Sequence, residues 1–239
     1  MVGKSQVKFI KSLQQKKYRN QHQMFVVEGV KMVKELLKTS YTTHVVYSTD
    51  EVFIAEFPEA IQISEADLKK ISSLKTPNKV LGVFHMPTPE AVTFDNWVVA
   101  LDDVRDPGNL GTIIRLCDWF GINHLLCSLQ TVDCYNPKVL QATMGSITRV
   151  NLQYVDIKKV LEAVKVPVYG AFMEGEVVYA ENLPQEGVLV MGNEANGISA
   201  EIGNLITKKI SIPQFGATTT ESLNVATATA ILLNEIRRG

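Results

Sequence analysis

The 239-residue chain contains no apolar run that approaches the length of a membrane span. Its first residues, Met-Val-Gly-Lys-Ser-Gln, lack an apolar core, so we expect neither a secretory signal nor a membrane partner. Only three cysteines are present, Cys117, Cys127 and Cys134, and they are widely scattered. Such an odd set is typical of reduced thiols rather than of a disulfide framework, which favours a cytoplasmic protein.

The usual marks of metal and nucleotide sites are also missing. The four histidines have no metal-ligand spacing from one another or from the cysteines, so we expect no bound metal. Neither G-x-G-x-x-G nor G-x-x-x-x-G-K-[ST] occurs, which disfavours a nicotinamide or P-loop nucleotide site. The composition, 46% hydrophobic and 21% charged, is ordinary for a globular protein of one large or two modest domains.

The net charge of −1 conceals an uneven distribution. Residues 1–40 carry nine Lys or Arg and two acids, a balance of +7, which leaves −8 for the remainder. A basic end on an acidic body indicates a polyanionic partner such as nucleic acid. A solvated, lysine-rich helix face is the alternative that charge alone leaves open.

A proline-containing segment, Met86 to Asn96, divides the chain. Before it, hydrophobic periodicity and capping residues predict a small α/β domain over residues 1–92. Its helices are predicted at 5–17, 28–38 and 64–74, and its strands at 24–27, 44–48 and 80–85.

After this segment, apolar strands alternate with helices over residues 93–239. The strands are predicted at 97–102, 124–128, 150–154, 168–172, 188–192 and 209–212. The helices are predicted at 110–120, 137–143, 156–164, 199–204 and 222–237. This alternation predicts a second domain with a parallel sheet covered on both faces. Ligands of such sheets bind beyond the carboxyl ends of the strands, where three polar turns lie.

The first polar turn runs from Leu101 to Arg115. Its Asp-Pro-Gly-Asn sequence is typical of a turn, and we expect Asn109 to be the N-cap of the following helix. Arg115 is placed to reach back toward the helix start, where a guanidinium and free N–H groups form a phosphate or carboxylate site. A plain turn followed by a surface arginine is the alternative.

The second polar turn runs from Val188 to Ser199. Gly192 and Gly197 permit positive φ and close backbone approach, and Glu194 lies between them. A purely structural turn is the alternative here.

The third turn opens the segment from Ile210 to Arg238. Ser222 and Asn224 flank Leu223 at the start of an alanine-rich helix, where either polar residue suits a helix cap. The small residues of this helix suit close packing, in the core or at a dimer seam.

In chain order the three turns resemble the three signature motifs of the SpoU/TrmH family of RNA ribose 2′-O-methyltransferases. The resemblance covers about residues 97–239. It is carried by Asn109-x5-Arg115, by Gly192-Asn-Glu194-x-x-Gly197, and by Ile212-Pro213 followed by Glu221-Ser-Leu-Asn-Val225. The basic N-terminal segment with Phe25-Val-Val-Glu-Gly29 resembles, more weakly, the RNA-binding domain of many members.

The resemblance implies an α/β parallel-sheet domain with a deep C-terminal trefoil knot, preceded by a small RNA-binding domain. It implies S-adenosylmethionine as cofactor and a homodimer that the last helix helps to form. The residues it assigns to the cofactor are Phe172, Met191, Gly192, Ile212, Gln214 and Leu223. Those expected to bind RNA are Lys8, Lys11, Lys16, Lys17 and Arg19.

For catalysis, the resemblance implies that Arg115 acts on the ribose 2′-hydroxyl. Because a guanidinium stays protonated in proteins, we expect it to orient the adjacent phosphate and stabilise the alkoxide rather than act as a base. The residues expected to position Arg115 and the ribose are Asn109, Glu194, Ser222 and Asn224.

Ribosomal RNA is the expected substrate, with transfer RNA as an alternative. A non-catalytic RNA-binding relative that acts in ribosome assembly is a second alternative, disfavoured by the intact polar motif residues. A knotted methyltransferase that modifies a base, and a generic small-molecule enzyme, are more distant ones. Two departures from the family pattern, Asn193 to Asn196 and the long loop 214–220, are expected to affect cofactor affinity or the RNA entrance.

Overall fold

The computed structural model describes residues 2–216 and 222–238. Residue contacts divide the chain into two compact units. Unit 1 comprises Met1–Thr88 and Asp133–Thr148, and unit 2 comprises Pro89–Val132 and Arg149–Gly239. Residues 217–221, which include Glu221 and part of the long loop, lie outside the described residues.

The secondary structure alternates between helices and short strands. Up to residue 88 the elements are α1 Lys4–Ser12, α2 Lys16–His22, β1 Met24–Glu28, α3 Val30–Leu37, β2 Thr43–Ser48, α4 Glu51–Glu56, β3 Ile61–Gln62, α5 Glu65–Ile71 and β4 Val80–His85. After it they are β5 Trp97–Leu101, α6 Pro107–Trp119, β6 His124–Ser128, α7 Pro137–Thr143, β7 Asn151–Val155, α8 Ile157–Ala163, β8 Val168–Val177, β9 Gly187–Met191, α9 Ala200–Gly203, β10 Lys208–Ser211 and α10 Val225–Arg238.

Unit 1 contains a four-stranded sheet in the order β1-β4-β2-β3. Strand β4 is antiparallel to both of its neighbours, and β2 is parallel to β3. The helix predicted over residues 5–17 is two helices. Helix α1 ends at Ser12, the next residue, Leu13, is buried in the core, and α2 begins at Lys16. Ser64 begins α5 as predicted, since its hydroxyl accepts a hydrogen bond of 3.1 Å from the N–H of Asp67.

The segment 133–148 belongs to unit 1 by its contacts, although it falls within the predicted second domain. Arg19 donates to the carboxylate of Asp133, with an Nε–Oδ2 distance of 3.1 Å. The rings of Phe25 and Tyr135 are 4.6 Å apart between centroids. These long-range contacts leave no periodic signal in the sequence. The functional division into 1–92 and 93–239 stays a prediction.

Unit 2 contains a six-stranded sheet in which every pair is parallel, in the order β10-β8-β9-β5-β6-β7. This confirms the α/β class predicted from the alternation of strands and helices. Strands β5 and β9 lie in the middle, and all their residues are buried. The trefoil knot implied by the family resemblance stays a prediction.

Strand β8 is longer than predicted. It continues to Val177, five residues beyond the predicted end at Phe172. Its pairing with β10 shifts there, because Lys209 faces Gly170 whereas the next residue, Ile210, faces Glu176. The register therefore passes over residues 171–175 of β8.

Across the described ranges, 2–216 and 222–238, no helix is both long and apolar enough to cross a membrane.

Candidate active site

The first two polar turns begin side by side. Leu101 ends β5 and Met191 ends β9, and the two residues face each other in the parallel ladder. The N–H of Asp102 then donates to the carbonyl of Met191 at 2.9 Å. Both turns therefore leave the same edge of the sheet from neighbouring strands, which is where ligands of such sheets bind.

Asp106, not Asn109, is the N-cap of α6. Its Oδ1 accepts a hydrogen bond of 2.9 Å from the N–H of Asn109, and Pro107 occupies the first helical position. Proline suits that position because its fixed φ is helical and it has no N–H to leave unpaired. The predicted cap at Asn109 is wrong by three residues. The side chain of Asn109 is consequently available for other contacts.

Two glycines and an asparagine hold the second turn in shape. A Cβ on Gly192 would lie 2.2 Å from the carbonyl carbon of Gly197, and Gly197 itself has φ of +67°. The Asn193 amide donates to the carbonyl of Asp103 at 2.7 Å, and its Oδ1 accepts from two N–H groups of its own turn. The turn is thereby fixed against the first one.

Glu194 joins these two turns. Its Oε1 accepts from the Asn109 amide at 3.0 Å and from the N–H of Asp106 at 3.1 Å. Its Oε2 accepts from the N–H of Arg105 at 3.2 Å. Burial tends to raise the pKa of Glu194, but these hydrogen bonds outweigh it, and the pKa lies below its ordinary value. The carboxylate is ionised at neutral pH and, from its place in the second turn, accepts three hydrogen bonds from the first turn.

Asn224 brings the third turn to the same place. Its Oδ1 accepts from the N–H groups of Ala226 and Thr227 at 3.0 and 3.2 Å, which caps α10. Its Nδ2 donates to Oδ1 of Asn109 at 2.8 Å. Asn224 is both a helix cap and a site residue. Three predicted site residues, Asn109, Glu194 and Asn224, thus form one hydrogen-bonded chain.

Arg115 and Ser222 are near Asn109 and Asn224 in sequence but form no hydrogen bond with the hydrogen-bonded chain. Both side chains are exposed. Arg115 lies on α6, six residues after Asn109, and makes no hydrogen bond or ion pair within residues 2–216 and 222–238. Ser222 precedes Asn224 by two residues and likewise has no hydrogen bond there. Both are therefore available to a ligand.

The main chain at the ends of these segments suits a cofactor held by backbone groups. In the described part of the chain, the N–H groups of Gly192, Ile212 and Leu223 donate to no protein acceptor. Such groups offer donors to the polar parts of S-adenosylmethionine. This observation fits the cofactor assignments implied by the three motifs.

The remaining cofactor candidates have different surroundings. Met191 is buried at the end of β9, and its carbonyl accepts the hydrogen bond from the N–H of Asp102. Phe172 is half-buried, and the ammonium group of Lys209 lies 4.9 Å from its ring centroid. Gln214 is exposed after β10.

Sequence reasoning missed three residues that build the site. Asp106 caps α6, Asn193 braces the second turn, and Asp102 accepts a hydrogen bond of 2.7 Å from the N–H of Ser199. Asp102 and Asp106 lie in the first turn ahead of α6, where acids before a helix suggest caps. Asn193 next to Gly192 is a turn signal, but its bond to Asp103 is non-local and has no sequence signature.

The predicted RNA-binding residues separate into two groups. Lys8, Lys11, Lys16 and Lys17 are exposed on α1 and α2. Arg19 is only 3% exposed, and its guanidinium is held by Asp133 and by the carbonyls of Leu13 and Gln14. Arg19 is therefore a structural residue of unit 1. Because its guanidinium is buried and already bonded, we do not include Arg19 among the proposed RNA contacts.

No three His, Cys, Asp or Glu side chains converge into a group suited to a metal ion among residues 2–216 and 222–238.

Comparisons with known proteins show which class of protein has this six-stranded parallel sheet and composite site. The SpoU rRNA Methylase family model matches residues 96–234, and an MRM3-like substrate binding domain model matches residues 4–82. The chain belongs to the SpoU rRNA methylase family. This confirms the family predicted from the three motifs.

Relatives match along nearly the whole chain. The 23S rRNA (guanosine(2553)-2'-O)-methyltransferase RlmP of Bacillus subtilis is 35% identical, with 97% of this chain and 95% of that protein covered. A TrmH-family structure from Porphyromonas gingivalis has a TM-score of 0.92 at 37% identity, covering 100% and 99% of the two chains. An AdoMet-bound rRNA methyltransferase from Sinorhizobium meliloti has a TM-score of 0.87 at 30% identity, covering 100% and 97%.

Proposed function

We propose that this chain transfers a methyl group from S-adenosylmethionine to a ribose 2′-hydroxyl of ribosomal RNA. The observation that carries the proposal is the hydrogen-bonded chain from Asn224 through Asn109 to Glu194, which unites the three motif segments. The RlmP relative, named for 2′-O-methylation of 23S rRNA, supports the reaction and the RNA class. The AdoMet-bound Sinorhizobium meliloti structure supports the cofactor.

The cofactor would be held by the main chain at Gly192, Ile212 and Leu223, with Met191, Phe172 and Gln214 around it. When bound, it supplies a methyl group already activated by the adjacent sulfonium. The protein then has to align the hydroxyl and lower the free energy of the developing alkoxide, for which it needs neither a metal nor a covalent nucleophile.

We assign the stabilisation of the developing alkoxide to Arg115. Its side chain has no competing protein partner among the described residues, so RNA binding breaks no ion pair of Arg115 with any of them. A guanidinium presents a fork of donors that matches a phosphate, and it remains charged throughout. Arg115 orients the phosphate next to the target ribose and places positive charge near the alkoxide.

Asn109, Glu194 and Asn224 are positioning residues in this scheme. Glu194 fixes the orientation of the Asn109 amide, and Asn224 fixes it from the other side. Ser222, exposed at the start of the same segment, adds a hydroxyl that can hydrogen-bond the ribose.

A homodimer in the cytoplasm completes the proposal. Helix α10 packs on α6, and Trp119 near the end of α6 is 83% exposed, which is unusual for so large an aromatic side chain. The three cysteines are buried and are not joined in disulfides, as suits a reducing compartment. Sedimentation of the native protein and of Trp119→Glu tests the dimer, and a monomeric native protein would contradict it.

The decisive experiment is methyl transfer from labelled S-adenosylmethionine to purified ribosomal and transfer RNA, followed by mapping of 2′-O-methyl positions. The expected result is label at a ribose of ribosomal RNA, absent from Arg115→Ala. Label confined to transfer RNA would replace the substrate, and label on a base would replace the reaction. If calorimetry shows cofactor and RNA binding but no transfer occurs with either RNA, the non-catalytic alternative is favoured.

A further inference from the structure

We propose that unit 1 binds a single-stranded stretch of RNA in a basic groove, distinct from the lysines of α1 and α2. This inference rests on the proposed function, since it concerns the same RNA substrate. The groove has a volume of about 1030 Å³ and is lined mainly by three stretches, residues 26–32, 73–79 and 136–144. All three belong to unit 1.

Four lysines line the groove: Lys31, Lys75, Lys79 and Lys138. Lys31, Lys75 and Lys138 are exposed and form no ion pair in the described part of the chain. Lys79 pairs with Asp50 at 3.2 Å, an exposed contact that contributes little and can be exchanged for a phosphate.

Glu28 is the one acidic side chain among the described residues that line the groove. Its Oε1 accepts hydrogen bonds from the N–H and the hydroxyl of Ser73, at 2.7 and 2.6 Å. The carboxylate is thus engaged with the protein, whereas three of the ammonium groups are not. The lining has a net charge of +3, which is complementary to a phosphate backbone.

Apolar side chains also line the groove. Met32 and Leu140 are buried, Leu74 is half-buried, and Met144 is exposed. Phosphates placed at the lysines would set bases against these side chains. Bases inside a duplex are stacked and not available for such contacts, so the arrangement favours a single strand or loop over a helix.

Unusual backbone conformations hold two walls of the groove. Lys79 has φ of +40° and Met144 has φ of +53°, a region that non-glycine residues rarely adopt. Next to Met144, a Cβ on Gly145 would lie 3.0 Å from Cγ of Glu35, so this wall is packed closely on α3. Strained residues of this kind persist where packing fixes them, and they are concentrated at ligand sites.

The charge distribution favours RNA over an acidic protein segment or a small anion. Unit 1 has fourteen Lys or Arg and nine Asp or Glu, a net charge of +5, whereas unit 2 has a net charge of −6. A polyanion long enough to fill the groove gains from several lysines at once, and its affinity must fall steeply with salt.

The test compares two triple variants of the full-length protein with equal charge change. Lys31→Gln/Lys75→Gln/Lys138→Gln removes the three unpaired groove lysines. Lys38→Gln/Lys69→Gln/Lys165→Gln removes three exposed lysines outside the groove and is the control. The probes are a fluorescent single-stranded oligoribonucleotide, the duplex of the same sequence, inorganic phosphate and an acidic peptide. Fluorescence anisotropy and competition are measured over a series of salt concentrations.

The groove variant is expected to lose about tenfold or more in single-strand affinity at low salt. Its salt slope should fall by about 2, at roughly 0.7 for each lost phosphate contact. The control should bind as the native protein does. If the two variants bind the single strand with equal affinity, the groove is not the binding site. If the native protein binds the duplex more tightly than the single strand, the proposal of a single-stranded occupant is wrong. Tighter competition by the acidic peptide or by phosphate overturns RNA as the occupant.

Two readouts separate this inference from the proposed function. If the native protein methylates ribosomal RNA while the groove variant binds oligonucleotide normally, only the groove is wrong. If the native protein neither binds S-adenosylmethionine in calorimetry nor transfers methyl groups, the proposed function fails, while the oligonucleotide measurement still decides the groove.

Discussion

The side-chain amide of Asn224 donates a hydrogen bond of 2.8 Å to the side-chain oxygen of Asn109, which lies 115 residues earlier in the chain. Asn109 lies in the first turn of α6, and Asn224 caps α10. The bond therefore fixes the start of one helix against the start of the other. Both are placed at the carboxyl edge of the sheet, where the proposed chemistry occurs.

Asn224→Asp separates the two tasks of this residue. Aspartate caps a helix as well as asparagine does, but it has no donor for Asn109 and competes with Glu194 for the Asn109 amide. We expect thermal stability close to that of the native protein and a loss of methyl transfer of about tenfold or more. Asn224→Ala should also lose about 1 kcal/mol of unfolding free energy. Native methyl transfer by Asn224→Asp would show that the bond has no functional part.

Arg115→Ala is expected to lower methyl transfer by about 100-fold or more, since one group that stabilises developing charge is removed. Because Arg115 is exposed and has no protein partner in the described ranges, the melting temperature and cofactor affinity should not change. Arg149→Gln is the control, since Arg149 is held by Asp118 at 2.9 Å. Retention of transfer within a few-fold by Arg115→Ala would remove the assigned role.

Glu194→Gln tests the ionised carboxylate through pH. Hydrogen bonds hold the pKa of Glu194 below its ordinary value, so its contribution to stability is present at neutral pH and is lost as pH falls through that lowered pKa. The melting temperature of the native protein should exceed that of the variant at neutral pH. The difference should shrink in acid, below the ordinary glutamate pKa of about 4.3. A difference that is constant with pH would exclude this account.

The two glycines of the second turn should respond differently to alanine. In Gly192→Ala the new Cβ meets backbone atoms at 2.2 Å, so the turn has to move and cofactor binding should be lost together with stability. Gly197→Ala meets no neighbouring atom, and the cost should be only about 1–2 kcal/mol for its positive φ. Calorimetric titration with S-adenosylmethionine and thermal unfolding distinguish the two; equal effects would contradict the close approach.

The four exposed lysines of α1 and α2 form a separate test of RNA binding. Replacing Lys8, Lys11, Lys16 and Lys17 by glutamine should weaken binding of ribosomal RNA and flatten its salt dependence. The measurement is the slope of log affinity against log salt, with the Lys38→Gln/Lys69→Gln/Lys165→Gln protein as control. An unchanged slope would show that these lysines do not contact RNA phosphates and serve solubility instead.

Local signals predicted much of the fold. Alternating apolar strands and helices located the six strands of the parallel sheet, and Pro137 to Thr143 was predicted with its observed bounds. The cap of α6 was misplaced because Asp106 and Asn109 are both good caps, and Pro107 decides between them. Short elements such as α4 and β3 are too brief to show a period.

What the sequence did not contain was mostly non-local. Arg19 belongs to a basic segment, and only its bond to Asp133 shows that it is buried. The motif residues Asn109, Glu194 and Asn224 were predicted as site residues, but which of them bond to each other depends on how the strands are ordered. Arg115 could be predicted as a site residue by resemblance, whereas its lack of a partner among residues 2–216 and 222–238 is visible only in three dimensions.

The hydrogen-bonded chain has one direction: Asn224 donates to Asn109, which donates to Glu194. It ends in a carboxylate that only accepts, so a fixed negative charge lies inside a site proposed for a polyanion. Under the proposed function, phosphates are expected to be repelled by Glu194 and attracted to Arg115. An RNA backbone that crosses the site is therefore expected to pass close to Arg115 and away from Glu194.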